Sequence, residues 1–287
     1  MSLQKLAVDD SGSGALEAPL DTLYERRGLP QFDLPASLAA SYGGGLGFGT
    51  PCLFANFVAS VDGVVALPAA GESGRIISGG SEADRFVMGL LRACADAVIV
   101  GAGTFRKAPG HLWDADAIYP AAARLFAETR SRLGLRPRPT LILVTGSGTL
   151  DTTQPAVRDA IIVTTPAGEA RLTRVPSTTR VLVLGSSTIP LGGLLARLRA
   201  EGLRVLLTEG GPSLVAGFVA EKLLDELLVT VSPSLFGRFA NDRRKSLAEG
   251  IDLSGTSLEL LTVRRHGSHM FLRYALGDGA AGPQAPA

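Results

Sequence analysis

The chain has 287 residues and a formal net charge of +1, with 28 basic against 27 acidic residues. This length can bury a large core in one α/β domain with tails, and the balanced charge excludes the electrostatic footprint of a nucleic-acid or membrane-surface protein. No run of about 18 apolar residues predicts a membrane span, and the N-terminus lacks a secretion signal. Cys52 and Cys94 are the only cysteines, and both lie in apolar sequence, which is typical of buried thiols in a reducing compartment. We therefore expect a cytoplasmic protein whose partner is a small molecule.

The chain is interpreted as one main domain with a tail at each end. Residues 1–50 are predicted to form an N-terminal extension, partly flexible, with one helix over 16–27 and a flexible glycine-rich loop at 41–49. The main domain covers 51–276, and 277–287 are expected to be disordered because they carry too little apolar surface. The extension lacks the apolar periodicity of a second core, so we expect the domain to fold without it.

Short apolar runs alternate with helical patterns along the main domain. Their continuous apolarity predicts a central, mostly parallel sheet with helices on both faces, so the fold class is α/β. The last two runs are joined by the short stretch HGSH, which predicts a C-terminal antiparallel hairpin. The predicted strands are 52–59, 97–100, 140–145, 160–165, 180–185, 204–209, 226–232, 258–265 and 268–276.

Four helices of the main domain have recognisable starts. Ser81 and Asp84 resemble a capping box, and apolar residues follow at helical spacing up to Cys94. The other three begin near a proline, whose missing N–H costs nothing in the first turn. They are predicted over 120–133, 190–199 and 212–224.

The loops at the carboxyl ends of the predicted strands point to a long, phosphate-bearing ligand. In open α/β sheets ligands bind beyond those ends. The strongest feature is Gly210-Gly211, because a glycine pair lets the backbone approach a pyrophosphate, and a helix starting near Pro212 would direct its positive end there. Glu209 is predicted to face a substrate. Five loops share this richness in Gly, Ser and Thr: 100–104, 144–148, 163–165, 184–187 and 208–213.

Several other site types are excluded by their missing motifs. The Gly210-Gly211 turn is not a GxGxxG motif, and the chain has no GxxxxGK[ST] and no GxSxG elbow, so ordinary Rossmann, P-loop and hydrolase sites are not expected. No HxE is followed by CxxC, which excludes zinc deaminase chemistry, and His111, His266 and His269 lack metal-ligand spacing. No metal is expected.

Three segments resemble the signature regions of a known enzyme family. They are FVASVDGVVA (57–66), GLLRACADAVIVGAGTFRKAP (89–109) and LLTEGGPSLVAGFVAEKLLDELLVTVSPSLFG (206–237). They are similar to the riboflavin-biosynthesis pyrimidine reductases, the reductase half of the bifunctional deaminase-reductase. The resemblance implies a dihydrofolate reductase-like fold and an NADPH-dependent enzyme that reduces the ribosylamino group of 5-amino-6-(5-phosphoribosylamino)uracil.

The resemblance also implies roles for individual residues. Asp62 and Glu209 are expected to be catalytic, and Asn56 and Arg92 to bind substrate. Trp113 lies in a stretch that departs from the family, and it is expected to bind substrate by stacking on a flat ring. Three of these residues also have a structural interpretation. Asp62 would stabilise an Asp-Gly turn at the exit of its strand, Arg92 would interact with the dipole of its helix, and Trp113 would fix a long loop to the core. The residues expected to bind the cofactor, from the resemblance and from the strand-end loops, are Val58, Ala59, Gly101, Thr104, Thr145, Ser147, Gly185, Gly210, Gly211, Pro212, Ser213 and Leu214.

The chain also departs from this family in two places. Asn56 stands where many members carry lysine, and 106–120 replace the Asp-Asn-Pro-x-Leu-Thr-Val-Arg stretch that helps hold the phosphorylated ribose. Two alternatives therefore remain open: a dihydrofolate reductase-like enzyme acting on another heterocycle or imine, and a non-catalytic NADP(H)-binding dimer. NADPH is expected over NADH because no acid follows the second or third apolar run. We expect a homodimer, because 226–236 and the hairpin supply more strand-forming surface than one sheet needs.

Overall fold

The computed structural model describes residues 16–68, 71, 73–239 and 243–277. Ten strands form one sheet in the order β1-β9-β10-β8-β2-β7-β3-β4-β5-β6. Their bounds are β1 Asp21–Glu25, β2 Cys52–Ser60, β3 Ala97–Gly101, β4 Thr140–Thr145, β5 Ile161–Thr164, β6 Arg180–Val183, β7 Val205–Thr208, β8 Glu226–Ser232, β9 Leu258–His266 and β10 His269–Leu276.

The predicted sheet is confirmed. The seven strands from β8 to β6 in that order pair in parallel, and β10, β9 and β1 follow antiparallel on the β8 side. β9 and β10 form the predicted C-terminal hairpin, with His266 opposite His269. Because the seven parallel strands share one direction, all their carboxyl ends lie at the same edge of the sheet.

Helices cover both faces of this sheet, as predicted. One core cluster contains residues of α1, α3, α5 and α6, and the other contains residues of α8 and α9. The helices are α1 Ala36–Tyr42, α2 Ser73–Ile77, α3 Glu82–Cys94, α4 Ala102–Lys107, α5 Ala115–Ile118, α6 Ala123–Arg132, α7 Pro166–Glu169, α8 Leu191–Ala200 and α9 Pro212–Ala220.

The start of α3 follows the sequence signal closely. Ser81 is the N-cap and its side chain accepts a hydrogen bond from the Asp84 amide, which satisfies one of the first-turn N–H groups. Cys94, at the end of α3, and Cys52, in β2, are both buried free thiols, as expected. Burial raises the pKa of Cys94 to about 12, so this thiol is neutral and acts as a small apolar side chain.

The N-terminal segment differs from its prediction. The helix expected over 16–27 is wrong: β1 lies there and pairs with β9. The stretch 41–49 was expected to be a flexible loop, but it carries Leu46 and Phe48 into the core, where they are 1 % and 3 % exposed. This conformation depends on pairing between β1 and β9, whose residues are more than 200 positions apart in the chain. A local sequence pattern does not show which distant strand will be the partner.

Residues 16–50 therefore pack as part of the main domain, and we propose that its boundary lies before residue 16. The predicted disorder of 277–287 remains a prediction, because 278–287 lie outside the described residues. Leu38 and Tyr42 of α1 are 0 % and 3 % exposed and belong to the same core cluster as α3. We now expect deletion of residues 1–45 to remove core side chains and destabilise the protein, against the expectation from sequence.

Leu38→Ala tests this boundary. Because Leu38 is fully buried, the substitution should lower the free energy of unfolding by about 2–5 kcal/mol, measured by urea denaturation. Leu23→Ala is the matched control: Leu23 lies in the same segment but is 54 % exposed, so its loss should be within about 0.5 kcal/mol. Equal losses for the two variants would show that the segment is not part of the core.

Candidate active site

The strand-end residues predicted for a ligand site lie along one edge of the sheet. Asp62 follows β2, Glu209 follows β7, Thr104 lies in α4 just after β3, and Thr145 ends β4. In the sheet order β2, β7, β3 and β4 are consecutive neighbours. Since adjacent strands lie about 4.8 Å apart, these residues span a distance of roughly 15 Å, which suits an elongated ligand.

The Gly210-Gly211 turn packs against the end of β3. A Cβ on Gly210 would lie 2.5 Å from the Gly101 nitrogen and 2.8 Å from Val100 Cα, so the protein's own backbone requires a glycine here. Gly211 has a φ of +32°, and its N–H donates to Thr104 Oγ1 at 2.8 Å. The approach of two backbones, from β7 and β3, explains Gly210 without any ligand.

Helix α9 leaves one first-turn amide for an anion. Pro212 has no N–H, and the amides of Leu214 and Val215 donate to the Gly211 carbonyl. The remaining amide of the first turn belongs to Ser213. The Thr104 hydroxyl accepts from Gly211, so its own proton is available to a ligand oxygen beside that amide.

Beyond β3, the end of β4 carries an unused polar group. Thr145 is 3 % exposed, and its Oγ1 makes no hydrogen bond to any described residue. Ser147 is exposed and bonds within its own turn, since its hydroxyl donates to Thr149 Oγ1 and accepts from the Thr149 amide. A buried hydroxyl without a partner is costly unless a ligand completes it.

Gly185 lies apart from the other predicted cofactor residues. It follows β6, which is the edge strand of the sheet. Three strands, β3, β4 and β5, lie between β6 and the strand β7 that carries the Gly210-Gly211 turn. Its φ is +68°, and a Cβ would lie 2.0 Å from the Thr188 carbonyl oxygen. The glycine is therefore explained by a tight turn, and no observation here supports a contact with cofactor.

Glu209 and Arg92 form a buried ion pair across the site. Arg92 Nε and Nη2 donate to the two carboxylate oxygens of Glu209 at 2.9 and 2.6 Å, and the side chains are 1 % and 9 % exposed. Nη1 donates to the carbonyls of Leu112 and Asp114. Every group of the guanidinium is thus engaged, so Arg92 positions Glu209 and the loop after α4 and has no N–H left for the substrate that we expected it to bind.

The loop that Arg92 holds also contains His111 and Trp113. His111 Nε2 lies 3.2 Å from Arg92 Nη2, and since a guanidinium only donates, this nitrogen accepts and the ring is neutral. Burial and then Arg92 lower the His111 pKa to about 4. Trp113 is 5 % exposed and stacks on Phe105 with ring centroids 5.5 Å apart. The structural alternative for Trp113 is supported: it fixes the loop to the core.

Asp62 joins two strand ends. It accepts from the Ser60 hydroxyl at 2.6 Å and from the amides of Phe236 and Gly237 at 3.2 and 2.7 Å. The Ser60 bond and then these amides lower the pKa of Asp62, so the carboxylate is ionised. The geometry favours the turn interpretation, in which Asp62 positions the loop after β8; a catalytic role remains a prediction.

The residues expected near the nicotinamide lie on β2. Val58 and Ala59 are each 7 % exposed and point to opposite faces, as successive strand residues do. Asn56 is also 7 % exposed and lies on the α3 face of the sheet beside Leu228. It lines a cavity of about 10 Å³ that also contacts Val87 and Thr230.

A profile of the family described as the RibD C-terminal domain matches residues 51–272. The chain belongs to this family. A curated relative, the 2,5-diamino-6-ribosylamino-4(3H)-pyrimidinone 5′-phosphate reductase of Archaeoglobus fulgidus, is 29% identical over 191 residues, which cover 65% of this chain and 82% of the relative.

Solved structures share the fold. A pyrimidine reductase-like protein from Corynebacterium diphtheriae has a TM-score of 0.65 at 23% identity, over 86% of this chain and 96% of that one. A diaminohydroxyphosphoribosylaminopyrimidine deaminase / 5-amino-6-(5-phosphoribosylamino)uracil reductase from Thermotoga maritima has a TM-score of 0.56 at 18% identity, over 79% of this chain. This chain spans only 57% of that longer protein. The dihydrofolate reductase-like fold predicted from the resemblance is confirmed.

Sequence reasoning missed one buried acid of this RibD-family chain. Asp84 of α3 is 5 % exposed and is hydrogen-bonded to the side chain of Thr230 in β8. It was interpreted only as part of a helix start. The signal was present, because Asp84 lies three and seven residues before Val87 and Leu91, on the apolar face of α3.

In the part of the chain that the structure describes, no group of three or more His, Cys, Asp or Glu could hold a metal ion. None of the described helices is long and apolar enough to span a membrane.

Gly210→Ala tests the backbone contact at the β7 turn. The added Cβ meets backbone atoms of β3, so the variant should lose about 1–3 kcal/mol of unfolding free energy in urea denaturation. Gly103→Ala is the control, because the Gly103 Cβ position in α4 is open and alanine favours helix by about 1 kcal/mol. If Gly210→Ala is as stable as the control, the contact is not a constraint on the turn.

Proposed function

We propose that this protein is a reductase of a ribosylaminopyrimidine 5′-phosphate that uses NADPH. The observation that carries the proposal is the buried Glu209–Arg92 pair, placed directly before the Gly210-Gly211 turn at the edge where the strand ends meet. The match to the RibD C-terminal domain over 51–272 and the names of the relatives support the same chemistry.

The residues at the strand ends fit a dinucleotide. The first-turn amide of Ser213 and the Thr104 hydroxyl would hold a phosphate group, and the unpartnered Thr145 Oγ1 would meet the adenosine end. Val58 and Ala59 on β2 would lie at the nicotinamide end. When bound, the cofactor supplies a hydride to C1′ of the ring-opened ribosylamine. We propose NADPH over NADH because no Asp or Glu directly follows β3 or β4, where its charge would repel the 2′-phosphate of NADPH.

The protein's own contribution is mainly positioning. Each Glu209 oxygen accepts one bond from Arg92 and keeps a lone pair, so the carboxylate can accept a bond from a hydroxyl or amino group of the substrate. Arg92 fixes the orientation of Glu209 through its two hydrogen bonds to the carboxylate. Hydride transfer to an electrophilic carbon depends on such orientation more than on a strong base.

We also propose a homodimer formed through the outer face of β8, β10 and β9. Val229, Leu272 and Val263 are directly opposite one another on these three strands, and all are half-buried. Met270 and Val231 form the adjacent half-buried pair. An apolar row along three strands is the kind of surface that a second copy of the same chain covers in a symmetric interface.

Two variants separate cofactor from substrate. Gly211→Val should abolish NADPH binding in calorimetry, because the branched side chain occupies the phosphate position and disfavours a positive φ. Glu209→Gln should keep NADPH affinity and lower kcat/KM by about 100-fold, the scale of lost positioning. Activity is followed by NADPH oxidation with the uracil and the diaminopyrimidinone substrates, and NADH is run in parallel.

Three outcomes would count against these assignments. Loss of NADPH binding in Glu209→Gln as complete as in Gly211→Val would refute the division of roles. Reduction of some other heterocycle instead would point to a different dihydrofolate reductase-like enzyme. NADPH binding without turnover of any substrate would identify a non-catalytic cofactor-binding dimer.

Leu272→Lys tests the dimer face. A lysine at the centre of the apolar row should convert the dimer to a monomer in light scattering at micromolar concentration. Leu235→Lys is the control, since Leu235 is 77 % exposed and lies outside the row. A wild-type monomer at that concentration would contradict the proposal.

A further inference from the structure

His111 lies beside the candidate active site, in the loop that follows α4. This loop belongs to the stretch 106–120 in which the chain departs from its family. The Nε2 atom of His111 lies 3.2 Å from Nη2 of Arg92, and the same Nη2 bonds the carboxylate of Glu209. The proposed reaction assigns no role to this imidazole, although it is one contact away from the acid that is proposed to meet the substrate.

His111 accepts the last of the hydrogen bonds that the buried Arg92 guanidinium can donate. A guanidinium carries five N–H groups. Two of them donate to the Glu209 carboxylate, from Nε at 2.9 Å and from Nη2 at 2.6 Å, and the two on Nη1 donate to the carbonyls of Leu112 and Asp114. The second N–H of Nη2 is left, and Nε2 of His111 is its acceptor. One nitrogen of Arg92 is therefore shared between His111 and Glu209.

This contact requires one particular form of the His111 ring. Because a guanidinium only donates, Nε2 must keep its lone pair, and the single ring proton must be on Nδ1. A protonated ring would instead direct an N–H at Arg92, with two cationic groups 3.2 Å apart. Burial and then the charge of Arg92 lower the pKa of His111 to about 4, while Glu209 acts in the opposite direction. The ring is therefore a neutral acceptor at neutral pH.

Two other charged side chains of the same loop are engaged elsewhere. The carboxylate of Asp114 pairs with Arg138 at 3.0 Å, and Nζ of Lys107 donates to the carbonyl of Leu67 at 3.0 Å. The charged groups that act on the titration of His111 are Arg92 of α3 and Glu209 after β7.

Aromatic packing fixes the direction of the His111 ring. Its ring meets that of Trp113 edge-on, with centroids 4.8 Å apart and an angle of 81° between the planes. Trp113 is in turn stacked on Phe105, which is fully buried in α4. The backbone is held as well, since the His111 amide donates to the Ala108 carbonyl. The acceptor is thus presented to Arg92 by side chains that are anchored in the core.

We propose that His111 is a positioning residue of the reductase, which accepts from Arg92 and thereby fixes the orientation of the Glu209 carboxylate. The inference rests on the proposed function, because that function makes Glu209 the acid that contacts the substrate. The shared Nη2 atom is held from two sides, by the imidazole and by the carboxylate. Without the imidazole a buried N–H group has no acceptor, so Arg92 moves to find one and displaces the carboxylate that it bonds. A displacement of about 1 Å is enough to lower turnover on the order of a hundredfold.

Three substitutions test this role through turnover. His111→Leu keeps an apolar side chain against Trp113 but removes the acceptor, so kcat should fall on the order of tenfold to a hundredfold. NADPH affinity in calorimetry should stay within about twofold, because the phosphate is proposed to bind at Thr104 and Ser213. His111→Gln places an amide oxygen near the position of Nε2 and should recover most of the lost turnover. His266→Leu removes a histidine of the C-terminal hairpin and is the matched control, with wild-type kcat expected.

A double-mutant cycle separates this role from a general effect on the loop. If His111 acts through Glu209, His111→Leu should lower kcat by less than about threefold in the Glu209→Gln background. A role confined to holding the loop would give the full loss in both backgrounds. If His111→Leu does not fold, His111→Asn replaces it in the cycle, because its shorter side chain does not reach Nη2 of Arg92.

Two measurements on the protein are independent of turnover. ¹⁵N NMR of the histidine rings should show the Nδ1–H tautomer for His111, with protonation near pH 4. Because the folded-state pKa lies below the ordinary value of 6.5, the unfolded chain takes up the proton first as the pH is lowered. The urea midpoint of the wild type should therefore fall more steeply than that of His111→Gln between pH 6.5 and about 4.

The outcomes distinguish this inference from the proposed function. Equal kcat in wild type and His111→Leu, or equal losses in the two backgrounds of the cycle, would overturn the inference while leaving a reductase. An Nε2–H tautomer in the folded protein would also overturn it, because that nitrogen would then have no lone pair for Arg92. Absence of turnover in the wild type with both 5′-phosphate substrates would instead reject the proposed function, and the role of His111 with it.

Discussion

The buried guanidinium of Arg92 connects most parts of the candidate active site. Its side chain extends from α3 to Glu209 at the end of β7 and to two carbonyls of the loop after α4. Removing one partner of a buried pair leaves an uncompensated charge at a cost of about 3–5 kcal/mol, so helix, strand end and loop are constrained together. Glu209, which we propose contacts the substrate, is thereby held in place before any ligand arrives, which reduces the ordering cost of binding.

Two further buried arginines explain why the N-terminal segment belongs to the domain. Arg264 of β9 donates a hydrogen bond to the Tyr42 carbonyl, and its guanidinium carbon lies 4.2 Å from the centroid of the Tyr42 ring. Arg273 of β10 donates to the Gly47 carbonyl, and its guanidinium carbon lies 4.7 Å from the centroid of the Phe48 ring. Each also pairs with a glutamate, Arg264 with Glu25 and Arg273 with Glu226. The glycine-rich stretch is ordered because the hairpin supplies donors for its carbonyls and cations for its rings.

The glycines of the strand-end loops illustrate how one residue type serves different constraints. Gly210 is needed where two backbones meet, and Gly185 where a turn closes on its own carbonyl. Gly103 meets open space. A glycine-rich edge is therefore partly a consequence of close loop packing, and the stronger pointers to a ligand are the unpartnered Thr145 hydroxyl and the remaining amide of α9.

The sequence by itself determined the strands of the main domain, the capped start of α3 and the edge at which the site lies, because continuous apolar runs and turn residues are local signals. It also determined the family, through three segments that carry the β2 exit, the β3 turn and the β7 turn. Tertiary structure alone decided the conformation of 16–50, the engagement of Arg92 and the position of Asp84 under α3. Each depends on a partner distant in the chain: 16–50 on Arg264, Arg92 on Glu209, and Asp84 on Thr230. A local pattern contains no information about which distant side chain will neutralise a charge or complete a hydrogen bond.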